Sequence, residues 1–136
     1  MSTVVTTMAN EVSCSIAAQE FGLSQSQRKL FPYVQLNSLP TNAETAIRTN
    51  IQHLHSTLLG EEYELDDAEI DATYGLFSAI WNARVAAGKG PSVISATELC
   101  ITENVSNPVL TDPNQTLRSW AAIINYMIRD YKFIHE

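Results

Sequence analysis

Residues 40–60 read PTNAETAIRTNIQHLHSTLLG, and the periodicity of this stretch places the chain among helical proteins. Ile47, Ile51, Leu54 and Leu58 recur at steps of four, three and four, which lines one side of an α-helix with apolar side chains. Thr41 and Glu44 stand at capping-box spacing, in which the hydroxyl and the carboxylate each take a free backbone N–H at the helix start. Gly60 supplies a stop, because glycine adopts the left-handed conformation that ends a helix without steric cost. The spacing predicts a helix from about Asn42 to Leu59, with Arg48 off the apolar stripe.

Working outward, the same rules apply on both sides. A helix is predicted to begin near Asp66, whose side chain can cap it, with Asp67, Glu69 and Asp71 where the helix dipole favours negative charge. Ile70, Tyr74, Phe77, Ile80, Trp81 and Val85 follow at helical spacing up to Gly88, and this helix is expected to form the centre of the core. A last helix is expected over 115–131. Asp112 can cap it, Pro113 suits a first helical position, Gln115 stands three residues after Asp112, and Leu117, Trp120, Ala121, Ile124, Met127, Ile128 and Tyr131 form its stripe.

On the N-terminal side, Val12, Ile16, Ala17 and Phe21 predict a helix over about 9–21, closed by Gly22. Ser24 and Gln27 repeat the capping-box spacing, and a short helical piece is expected to run to Phe31, before Pro32. Residues 93–101 read either as a short helix starting at Ser95 and Glu98 or as a buried strand, and the helix is preferred. Pro108 and Pro113 make 104–114 a surface loop, since proline removes a backbone donor and restrains the residue before it. The expected fold is therefore all-α, a bundle-like single domain of four or five helices, with residues 1–8 a flexible N-terminal segment.

Composition narrows the function. The chain has 136 residues, 45% of them hydrophobic, and only 17% charged against about 25% in ordinary soluble domains. A net charge of −7 argues against nucleic-acid binding through overall charge. Seven of the fifteen acids fall between Glu61 and Asp71, and without them the remaining acids balance the eight bases. The charge thus belongs to one connection and helix start, where Glu61, Glu62, Glu64, Asp66 and Asp67 are the candidates for docking a basic protein. The plainer interpretation is a solvated helix N-terminus. No Asp-x-Asp-x-Asp-Gly run suggests calcium.

Catalytic signals are absent. Cys14 and Cys100 are expected to be reduced thiols, and His53, His55 and His135 complete no zinc spacing. His53 and His55 lie about 200 degrees apart round a helix and cannot share a ligand from that helix alone. Helix geometry brings His53 toward Asp71 and away from the acids of the connection, and even this pair is expected not to couple. Gly88-Lys89-Gly90-Pro91-Ser92 lacks the spacing and the preceding strand of a phosphate-binding loop, and no Gly-x-Ser-x-Gly elbow occurs. No cofactor and no enzyme activity are expected.

Low charge, only three lysines (Lys29, Lys89 and Lys132) and uncharged polar segments near the start and in 104–114 favour subunit contacts, whose surfaces are poor in lysine. The expected function is a self-assembling structural subunit of coat or filament type. The alternative is an acidic adaptor or inhibitor acting through 61–71. A coat subunit would also hold nucleic acid, for which Arg28, Lys29, Arg84 and Lys89, near helix ends, are the candidates, with Arg118 and Arg129 expected on the outer side of the last helix. The first ten residues carry neither a basic region nor an apolar stretch, so an intracellular location without a signal peptide is expected, and the sequons at Asn104 and Asn114 carry no weight.

Overall fold

A computed structural model of the protein describes residues 15–88 and 111–135, with side chains of the last helix described as far as Arg129. The readings made for 1–14 and 89–110 lie outside the described residues. They include the flexible start, Val12, both cysteines, Lys89 and the helix or strand at 93–101; the side chains of Tyr131, Lys132 and His135 also fall outside.

Within the described residues the fold is all-helical and bundle-like. Helix α1 covers 15–21 of the described chain, α2 runs Glu44–Leu59, α3 Ala68–Ala86 and α4 Thr116–His135. Helices α2, α3 and α4 pack pairwise against one another. Ala17, Ala18 and Phe21 of α1 join their core. Ile47, Ile51 and Leu54 are fully buried, so the stripe on α2 does what its spacing implies.

The centre of the core lies elsewhere than expected. Only Ile70, Thr73 and Phe77 of α3 are buried, whereas Leu117, Trp120, Ile123, Ile124 and Met127 of α4 are completely enclosed. Trp120 stands between the rings of Phe77, at 4.5 Å, and Phe31, at 5.3 Å, and Phe31 in turn stacks on Phe21 at 4.7 Å. The reason is segregation: α4 gathers its apolar residues on one side, while those of α3 spread round the axis, so no single orientation can bury them all.

Segment 28–43 has no regular structure but is tied down by side chains that accept its backbone donors. Glu20 accepts from the amides of Lys29 and Leu30 at 3.0 and 2.7 Å, and buried Asn50 accepts from Tyr33 while donating to the Leu30 carbonyl. This places Phe31 and Val34 in the core with their neighbouring backbone satisfied.

Several predicted caps are corrected. Ala43 precedes α2 without a side-chain cap, because Asn42 accepts from the Leu39 amide, in a turn that begins at Leu39 and displaces the Thr41–Glu44 box. The cap of α3 is Asp67, accepting from the Glu69 amide at 2.9 Å, one residue later than Asp66. The Ser24 piece is a single 3-10 turn, Gln25–Gln27, with no side-chain cap. It ends because Arg28 takes extended backbone, and it never reaches Phe31. Helix α4 begins at Thr116, since Gln115 adopts a left-handed φ of 62°, so Pro113 is not helical. Asp112 nevertheless caps, its two oxygens accepting from the amides of Leu117 and Arg118 at 3.0 Å each.

Arg118 corrects a further expectation. It is only 5% exposed and lies 3.4 Å from Asp112, itself fully buried, because the turn at Gln115 folds the carboxylate back over the first turn of α4. A charge enclosed in this way is tolerated only with its partner in place. Arg129 is exposed, as its position on the outer side requires.

Candidate functional site

The connection between α2 and α3 is built by Gly60, whose φ of 66° turns the chain back on itself. The Gly60 amide donates to the Ser56 carbonyl and the Glu61 amide to that of His55, both at 3.1 Å. Residues 61–63 consequently lie beside the last turn of α2. Glu61 reaches His55 Nδ1 at 3.1 Å, Glu62 accepts from the Ser56 hydroxyl at 2.7 Å, and Gln52 donates to the Tyr63 carbonyl at 2.7 Å. The Tyr63 ring stands edge-on to His55 at 5.3 Å. Burial, followed by the charges of Glu61, Glu69 and Asp67, pushes the Tyr63 hydroxyl pKa up.

The five acids proposed for partner binding are thereby divided. Glu61, Glu62 and Asp67 make bonds within the chain, as partner of His55, acceptor from Ser56 and cap of α3. Glu64 and Asp66 stand exposed on either side of Leu65, which is itself 39% exposed. Asp71 is held by Arg48, which also binds Glu44 and stacks 4.6 Å over the Tyr74 ring, and these contacts raise the Arg48 pKa, chiefly through the bond to Asp71.

His53 makes no use of Asp71. Its Nε2 lies 2.6 Å from the Lys29 carbonyl and its ring meets Tyr33 edge-on at 5.6 Å. His55 instead is the connected histidine, with Nε2 3.1 Å from the Thr73 hydroxyl and Nδ1 on Glu61, so a connection acid does reach a ring. Spacing along two ideal helices misses this contact because the glycine turn, not helix packing, delivers Glu61. A carboxylate placed directly after a helix-ending glycine is the signal that could have found it.

A hydroxyl, an imidazole and a carboxylate in line have the order of a hydrolytic triad. The Thr73 hydroxyl, however, donates to the Glu69 carbonyl at 3.0 Å, and Thr73 and His55 are both buried, so a substrate reaches that oxygen only if α2 and α3 separate. Among the described residues no group of three or more His, Cys, Asp or Glu is placed to hold a metal. No described helix is long and apolar enough to cross a membrane.

Of the nucleic-acid candidates, Arg28 is engaged internally. It donates to the carbonyls of Leu23 and Val34 and to Gln35, lies 5.0 Å over the Phe21 ring, and has its pKa lowered by burial. The Lys29 side chain is exposed, Arg84 lies partly exposed at the end of α3, and Lys89 is outside the described residues. Lys29 and Arg84 are therefore the candidates among the described bases that reach solvent.

The most unusual surface is the outward side of α3. Ala72, Gly75, Ala79, Asn82, Ala83 and Ala86 are all exposed and fall within about 100 degrees round the axis, opposite Ile70, Thr73 and Phe77. No charged residue occurs between Asp71 and Arg84. Sequence reasoning missed this face by assigning α3 to the centre of the core. Elsewhere Tyr33 and Tyr126 are exposed to 49% and 44%. Compared with family models, curated proteins and solved structures, the chain matches none.

Proposed function

We propose that the protein is a non-enzymatic, self-assembling structural subunit, of the coat or filament type, that acts through contacts between copies of itself. The observation that carries this reading is the charge-free outward face of α3, three turns of helix left to solvent without the charged residues that a surface helix ordinarily carries. Its alanines and glycine allow a second helix backbone to approach closely, and dispersion contacts grow with that closeness. Shortage of lysine agrees with the same use of the surface.

Light scattering over a concentration and salt series tests the reading. The particle mass is expected to rise with protein concentration and to persist in high salt, because an apolar contact is not screened. Ala79→Glu, which places a charge at the middle of the face, is expected to return the protein to monomer. A wild type that stays monomeric throughout defeats the proposal.

One observation favours the second reading, an acidic adaptor or inhibitor of a basic protein. Glu64 and Asp66 present free carboxylates on both sides of exposed Leu65, a charged rim round an apolar contact. That binding would weaken steeply with salt, which separates it from assembly through α3.

A further inference from the structure

His55 is 3% exposed and plays no part in the assembly surface, yet each of its ring nitrogens faces a polar partner. The hydrogens in this cluster can be counted. The Glu61 carboxylate only accepts, so Nδ1 must carry a hydrogen to complete the 3.1 Å bond. Thr73 has one hydroxyl hydrogen. When it goes to the Glu69 carbonyl, 3.0 Å away, Nε2 must donate to Thr73 and the ring is an imidazolium. When the ring is neutral, Nε2 is bare and the Thr73 hydroxyl turns from Glu69 to donate to it. A neutral ring with its hydrogen on Nε2 fits neither arrangement, because the Nδ1 lone pair would then face the carboxylate.

We infer that His55, Glu61 and Thr73 form a proton-operated latch on the connection between α2 and α3. Gain of a proton turns the bond from His55 to Glu61 into an ion pair between a buried ring and a carboxylate that is 39% exposed, and charge assistance makes it stronger than the neutral bond. Loss of the proton leaves a neutral donor and returns the Thr73 hydroxyl to the ring. The groups facing this cluster are Glu61 and Tyr63 from the connection, Thr73 from α3 and, past Thr73, the Glu69 carbonyl; Glu62 is occupied by Ser56 on the adjoining turn of α2. Glu61, Glu69 and Asp67 all act on Tyr63, so the charged groups round the cluster are acidic. The sign follows. A proton bound in the folded state strengthens the latch at low pH, and the gain is lost as pH rises. Glu61 then swings free more often, adding a third exposed carboxylate to the edge formed by Glu64 and Asp66.

Nitrogen-15 spectra of the imidazole rings and amide hydrogen exchange, recorded on the full chain between about pH 5 and 8, the range in which histidine changes charge, test the latch. Both His55 nitrogens are expected to be protonated at the acid end, with Nε2 the one that becomes bare. Exchange at the Glu61 amide, which is held by the His55 carbonyl, corrected for the intrinsic effect of pH, is expected to quicken about fivefold as the ring loses its proton. Glu61→Gln and His55→Gln are each expected to abolish that step. A neutral ring that keeps its hydrogen on Nε2 overturns the proposal, as does an exchange step of wild-type size in both variants.

Discussion

Helices α3 and α4 are nearly equal in length, 19 and 20 residues, and both are rich in apolar side chains, yet they occupy opposite positions in the protein. Helix α4 sorts its residues, with Leu117, Trp120, Ile123, Ile124 and Met127 inside and Tyr126 and Arg129 outside. Helix α3 does not. It buries Ile70, Thr73 and Phe77, leaves Ile80, Trp81 and Val85 half covered, and turns a row of small residues to solvent. What separates them is the arrangement of apolar residues round the axis, since only a sorted stripe can be satisfied by one core. The small residues of α3 stay exposed to solvent, and the functional proposal rests on them.

The sharpest way to break the comparison is to remove one tryptophan from each helix. Trp120→Ala is expected to cost about 4 kcal/mol, as loss of a fully enclosed aromatic between Phe31 and Phe77 leaves a cavity. Trp81→Ala, which removes a half-covered ring and its bond to the Asn114 carbonyl at 2.9 Å, is expected to cost about 2 kcal/mol. Urea unfolding of the two variants measures the gap, and equal losses would place α3 and α4 on the same footing.

A smaller contrast lies in the caps. Asp112→Ala strips two amides of their acceptor and leaves Arg118 enclosed without its carboxylate, for an expected loss of about 3 kcal/mol. Asp67→Ala removes a solvated cap of α3 and is expected to cost about 1 kcal/mol. Thermal melts should order the two variants in that way.

The least effect on stability is expected from Ala79→Glu, within about 0.5 kcal/mol in the monomer, because the site is exposed on the surface of α3. Its whole consequence should appear in association. A large loss of stability in a dilute, monomeric sample would mean that the outward face of α3 is packed within the chain, and the contrast with α4 would fall.

Much of this is legible in the sequence. Four residues of α2 at steps of four, three and four, with Gly60 after them, marked both the helix and its end, and the left-handed glycine is there. Asp112 was legible as a cap, though its helix starts later, because a carboxylate can reach amides across the turn that Gln115 makes. The capping box at Thr41 and Glu44 was legible and did not form, since Asn42 satisfied the Leu39 amide first. Local pattern states which groups could bond, and competition among neighbours selects which do.

By itself, then, the sequence determined the helical class, the three long helices and the stops at Gly60 and Gly88, because spacing and backbone freedom are properties of a few adjacent residues. It determined also that the negative charge is local to 61–71. Tertiary structure alone decided that α4 is the innermost helix, that Arg118 lies inside with Asp112, that His55 and not His53 finds a carboxylate, and that α3 turns an uncharged face outward. Each of these depends on which side of one element meets another. Burial and pairing are settled by the geometry of the assembled helices, which no window of neighbouring residues contains.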